Sequence, residues 1–166
     1  MAIRNESTRR WLYRRDALQA IAGRIAEGEG LLPKRKKGLV QGLEVSLLFC
    51  DDAFIRELNR QYRDVDKPTD VLSFGQDGQS GAVTRSLGDI VISLETVERR
   101  NGSDRAAMRD EVQLLFCHGM LHLAGHDHRT RIERERMHHL QAVYLKRNLD
   151  AAWLSEQSYQ PVTELA

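Results

Sequence analysis

The feature that most constrains this chain is a helical stretch with almost no polar face that nevertheless carries histidines. Residues 112–128 read VQLLFCHGMLHLAGHDH, apolar nearly all round as far as Ala124. A helix of that kind must lie in the middle of a domain, with other elements packed on several sides. His118 and His122 are four residues apart, so both imidazoles leave one helix face. Gly125 is a natural stop, because a residue without Cβ can close the helix in a left-handed turn. The chain can then reverse and bring His128 back toward the first two. Three neutral imidazoles converging on a point make a zinc-type ligand set with a fourth position open, which marks a catalytic rather than a structural centre.

A single histidine on an apolar face is usually a hydrogen-bonded core residue. Burying three without a shared partner would be costly, and that favours one metal ion, expected as Zn2+, held by His118, His122 and His128. All six histidines fall within residues 118–139. His126 faces a different direction and reads as a supporting or surface residue, and His138 and His139 read as surface. Cys117 lies about 100° round the helix from His118 and reads as core.

The spacing H-x3-H-x2-G-x2-H is shared with the metzincin metalloproteases. Those need a glutamate directly after the first histidine as the base, and here the position is Gly119. The spacing keeps a metal centre but lacks the protease base.

A second informative stretch is residues 62–74, YRDVDKPTDVLSF, a polar turn set between a helix and a strand. Arg63 is its candidate phosphate holder, since a guanidinium offers paired donors at fixed charge. Asp70, Asp89 and Asp127 are candidates to orient an imidazole from behind.

Together these stretches resemble the YbeY family of bacterial endoribonucleases. The match runs through L-N-x-x-Y-R-x-x-D-x-P-T-D-V-L-S-F at 58–74, L-G-D-I-x-I-S at 87–93 and H-G-x-L-H-L-x-G-x-D-H at 118–128. His126 stands where the family usually has Tyr, and Gly75 where Pro is usual. The resemblance implies an α/β (α+β) fold, helices around a small mixed sheet, with one zinc in a cleft. It also implies a single-strand-specific endoribonuclease acting on precursor ribosomal RNA, in 3′-end maturation of the small-subunit RNA and in ribosome quality control. Arg63 and His118 would be its catalytic residues and the small ribosomal subunit a partner. Two rivals are a metalloprotease-like hydrolase and a non-catalytic ribosome-assembly factor with structural zinc.

The remaining pattern is consistent with one domain over residues 1–150 and a tail at 151–166. Ser7 and Thr8 are expected to cap a first helix bearing Trp11, Leu18, Ile21 and Ile25 and ending near Gly28. Strands are expected at 43–50, 71–74 and 87–93, helices from Asp51-Asp52, at 94–101, from Ser103 to about Ala124, and from Thr130 to about Leu149. Residues 75–86 hold three glycines and no apolar periodicity, and read as a surface loop.

Charge adds one point. Residues 1–40 hold ten Lys/Arg against four acids, while the other 126 hold fifteen against twenty. The run Lys34, Arg35, Lys36 and Lys37 could meet RNA phosphates or simply be a solvated loop. A charged start without an apolar run, two cysteines and no membrane-length apolar segment lead to the expectation of a reduced, cytoplasmic, non-membrane protein.

Overall fold

A computed structural model describes residues 1–9, 12–32, 42–75 and 84–150. Trp11, the basic run 34–37, most of the glycine-containing segment 75–86 and the tail after Asp150 lie outside the described residues.

Three parallel strands and one antiparallel strand form a single sheet. In chain order they are β1 (Ala2–Asn5), β2 (Gly42–Cys50), β3 (Val71–Gly75) and β4 (Thr84–Ser93). Their spatial order is β1-β2-β4-β3, with β1, β2 and β4 parallel and β3 antiparallel to β4. The expected small mixed sheet is therefore present, and β3 is an edge strand.

Side-chain alternation sends apolar residues to both faces, as a sheet covered on both sides requires. Val45, Leu47 and Phe49 of β2 join Ile90 and Ile92 of β4 in the larger core. Leu48 and Cys50 of β2, Leu72 and Phe74 of β3 and Val91 of β4 point the other way, into a smaller cluster with Ile55 and Leu58. Among the described residues, five helices cover these faces: α1 (Arg15–Gly28), α2 (Asp52–Arg63), α3 (Leu94–Asn101), α4 (Arg105–Leu123) and α5 (Arg131–Leu145). α2 supplies Ile55 and Leu58 to the smaller cluster, while α1, α4 and α5 close the larger one.

α4 is the buried helix that its sequence demands. Val112, Leu115, Phe116, Cys117 and Leu121 are wholly buried, and it touches α1, α3, α5, β3 and β4. The Asp104 carboxylate caps its start, accepting from Ala106 N at 2.9 Å and Ala107 N at 3.0 Å. The cap is thus one residue beyond Ser103. α5 opens with the Thr130 hydroxyl accepting from Glu133 N while the Glu133 carboxylate accepts from Thr130 N. It stops at Leu145, earlier than expected, because Lys146 takes a left-handed conformation with φ 56°.

The N-terminus differs from expectation. Residues 2–5 form β1, paired with residues 46–49 of β2, and α1 begins only at Arg15. Ser7 does not cap a helix: its amide donates to Asn5 Oδ1 and its hydroxyl accepts from Arg9 N. Those short-range bonds make a turn between strand and helix, the competing use of Ser and Asn side chains.

Candidate metal centre

Local helix-end chemistry builds the site. After Ala124 the chain closes α4 with Gly125 N donating to His122 O at 2.9 Å and His126 N to Leu121 O at 3.0 Å. Gly125 takes φ 93°, open to a residue without Cβ. This closure turns the chain back so that His128 returns to the face that carries His118 and His122.

The three imidazoles meet at their Nε2 atoms. His122 Nε2 lies 3.0 Å from His118 Nε2 and 3.0 Å from His128 Nε2. Among the described residues, His118, His122 and His128 are the group whose ligand atoms gather closely enough to hold a metal ion. A tetrahedral ion with nitrogen ligands at about 2.0–2.1 Å would set them roughly 3.3 Å apart, so the group is close to a preformed ligand set.

Protonation fits the same use. Burial drives the His118 pKa down to about 4, against the pull of its hydrogen bond to Gln141, with the charges of His128 and Arg63 lowering it further. Burial likewise takes His122 down to about 3, helped by His118 and His128, and lowers His128. All three are neutral at pH 7 and present lone pairs. A proton on one Nε2 can relieve one close pair, but His122 faces two such neighbours. A cation at the shared point satisfies all three.

Gln141, which the motif reading did not single out, fixes one of these rings. Its side-chain oxygen lies 2.8 Å from His118 Nδ1, and the residue is 2% exposed. An amide oxygen only accepts, so Nδ1 carries the proton and Nε2 keeps its lone pair for the centre. A signal was available in the sequence: Gln141 falls on the inner stripe of α5 with Met137 and Tyr144, where a polar residue needs a partner.

Arg63 closes α2, with Asp64 at φ 56° turning the chain away. The following loop is pinned from two sides. Asn59 Nδ2 donates to Lys67 O at 2.8 Å, and buried Asp70 accepts from Arg100 Nη1 at 2.7 Å. Although Arg63 is exposed, surrounding protein lowers its pKa against the pull of Asp70, as on the wall of a concavity. Its charge in turn depresses His118 and His128, so it lies within electrostatic reach of these imidazoles. It makes no hydrogen bond or ion pair among the described residues. A guanidinium in that state is available to an anion.

Of the three aspartates considered for the imidazoles, Asp127 acts on His122 and His128 through its charge, raising the pKa of both, while Asp70 is bound by other groups. Asp127 accepts from His128 N and pairs with Arg129 Nε at 2.8 Å. Asp70 Oδ1 accepts from Val71 N, while its second oxygen takes Arg100. Asp89 lies on β4 opposite Phe74. His126 stands outside the trio and is no free surface residue: its Nε2 is 2.7 Å from Glu29 Oε2. His139 is exposed, and His138 contacts Leu149 O. Cys117 is core, and burial pushes its thiol up to about 12.

Gly119 now has a packing reason. A Cβ there would come within 3.0 Å of Ile90 Cγ2 and 3.1 Å of Ser73 Oγ, so this side of α4 lies directly on the sheet. A glutamate at the position that carries the metzincin base would have to push these neighbours aside.

Comparison with known proteins identifies the family. The family model described as Endoribonuclease YbeY matches residues 4–148. A protein named Endoribonuclease YbeY from Methylocella silvestris is 51% identical over 104 residues, 63% of this chain and 58% of its own length. This chain therefore matches somewhat over half the length of that relative. One of the same name from Pelotomaculum thermopropionicum is 44% identical over 130 residues, covering 70% of this chain and 86% of its own. A Thermotoga maritima protein solved in solution superposes with TM-score 0.55 at 26% identity, over 87% of this chain and 86% of its own.

Proposed function

The chain belongs to the YbeY endoribonuclease family, and from that premise we propose that it is a zinc-dependent endoribonuclease cutting single-stranded RNA. The observation that carries the reading is an arginine with no hydrogen bond or ion pair among the described residues, within electrostatic reach of three half-buried, neutral imidazoles, two of which bring their Nε2 atoms to 3.0 Å from that of His122. Metal ligands supply one half of a phosphodiester-cleaving site, and a fixed cation facing them supplies the other.

His118, His122 and His128 are the residues that would hold the ion. When bound there, zinc supplies Lewis acidity toward a phosphate oxygen. His118 is held in its Nδ1-protonated form by Gln141, so its Nε2 needs no rearrangement to serve. Arg63 orients the scissile phosphate and offsets the negative charge that grows on its oxygens toward the transition state. A planar guanidinium does this through two parallel donors, which also fixes the direction of the phosphate. The loop that follows Arg63 is pinned, which fixes the end of α2 from which this side chain extends.

Precursor ribosomal RNA is our proposed substrate, cut in maturing the 3′ end of the small-subunit RNA and in ribosome quality control. The small ribosomal subunit is the proposed partner and the cytoplasm the proposed location; these points rest on the motif resemblance. Among the described residues, no helix is long and apolar enough to cross a membrane.

The test is metal analysis of purified protein followed by incubation with end-labelled single-stranded and duplex RNA. We expect close to one zinc per chain and cuts confined to the single strand. Metal-loaded protein that leaves both RNAs intact would refute the reading.

A further inference from the structure

Immediately before Arg63 stands an aromatic side chain that neither the fold nor the metal centre accounts for. Tyr62 is 60% exposed, which is unusual for a large ring in a helix that buries Ile55 and Asn59. Its hydroxyl has no hydrogen-bond partner among the described residues. The ring is nonetheless held in place. Its centroid lies 5.0 Å from that of Phe74, with the planes at 62°, an edge-to-face contact. Phe74 is half-buried on edge strand β3 and packs on the smaller cluster beneath, with Leu58 one helical turn before Tyr62. The result is a supported ring with its remaining surface open to solvent.

Its neighbours indicate what would cover it. Arg63 is adjacent in the chain, makes no hydrogen bond or ion pair among the described residues and acts electrostatically on His118 and His128. An apolar peptide would leave that charge unmet. A nucleotide chain offers both a flat base for the ring and a phosphate for the guanidinium. Base stacking on aromatic side chains is tolerant of sequence and requires unpaired bases, because a duplex already stacks its own.

We propose that Tyr62, supported by Phe74, is a stacking platform for one base of a single-stranded RNA whose neighbouring phosphate is held by Arg63. The proposal rests on the endoribonuclease reading and deepens it, giving a physical origin for selection of unpaired strands. The platform lies on the α2 side of edge strand β3, one residue before Arg63 in the chain.

The test is equilibrium binding of zinc-loaded protein to a short 2′-O-methylated single strand, checked for integrity, with a parallel series holding one abasic position. Tyr62→Ala and Tyr62→Leu are each expected to bind about tenfold more weakly than wild type, within the usual range for one lost stack. Tyr62→Phe and Tyr62→Trp should bind as wild type, because only the ring face is used. Leu keeps an apolar contact on Phe74, so a loss shared by Leu and Ala is stacking and not packing; thermal stability is measured alongside to confirm that both fold. In wild type one abasic position should cost the same tenfold, and in Tyr62→Ala that position should cost nothing further. Wild-type affinity in Tyr62→Leu, or additive losses at every abasic position, would overturn the platform while leaving the nuclease intact. Wild-type protein that binds no single strand and cuts no unmodified RNA would overturn the endoribonuclease reading, and the platform with it.

Discussion

Replacing Gln141 with leucine separates the metal ligands from the residue that orients one of them. Gln141 accepts a hydrogen bond from His118 Nδ1 over 2.8 Å at a position only 2% exposed, so water cannot take its place. Leucine fills a similar volume but offers no acceptor. In metal-free protein the His118 ring can turn or shift its proton to recover a partner. In the loaded protein Nε2 is committed to the ion, and a buried Nδ1–H without a partner costs roughly 1–3 kcal/mol. Because the cost falls on the loaded state, it becomes lost affinity, about 10- to 100-fold weaker zinc binding. Gln141→Glu keeps an acceptor in the same place and should hold zinc at least as tightly. It should also lower the thermal stability of the metal-free protein, since a carboxylate is then buried. Competition against a chromophoric zinc chelator reads the affinities, and melting curves with and without zinc read the rest. Zinc affinity within threefold of wild type in Gln141→Leu would show that the contact does not orient His118.

His122→Ala should lose most of the bound metal, because His122 Nε2 faces both other ligands; His126→Ala should keep it, since that ring pairs with Glu29, and elemental analysis decides both. Arg63→Ala should lower kcat by about 10²- to 10³-fold with zinc content and melting temperature unchanged, and Arg63→Lys should recover little of it; full activity in the alanine variant would remove the phosphate-holding role. The metal-free protein should lose stability as the pH falls from about 6.5 toward 4, seen as a falling melting temperature. His118 and His122 have folded values of about 4 and 3, below the ordinary 6.5, so across that window the unfolded chain binds the extra protons. A melting temperature flat across it would contradict imidazoles held neutral by partial burial. Gly119→Glu should fold poorly or not at all by circular dichroism, because its Cβ already meets Ile90 and Ser73.

Much of the site was legible because helix periodicity and one glycine determine it. His118 and His122 share a face through spacing alone, and Gly125 supplies the reversal that returns His128. The buried character of α4 followed from its composition, and the strand alternation of β2 and β4 from their apolar runs. What the sequence hid depends on contacts between distant segments. β1 is four residues long and earns its strand only by pairing with β2, and the Ser-Thr pair beyond it imitates a helix cap. Gln141 meets His118 across 23 residues, and Glu29 meets His126 across 97, separations at which no local pattern speaks. Asp70, near the motifs, looked suited to support an imidazole, yet it is taken by Arg100, whereas Asp127 pairs with Arg129 and still acts on His122 and His128 through its charge. Type and proximity in sequence do not decide which oxygen faces which ring.

The most direct test of the central claim is cleavage of one end-labelled single-stranded RNA by the same preparation in three states: as loaded with zinc, stripped by a chelator, and reloaded. His122→Ala is carried through the identical cycle. Three imidazoles forming the working centre predict activity in the first state, none in the second and recovery in the third, with the variant inactive throughout. Undiminished cutting by stripped protein, or by His122→Ala, would contradict the account.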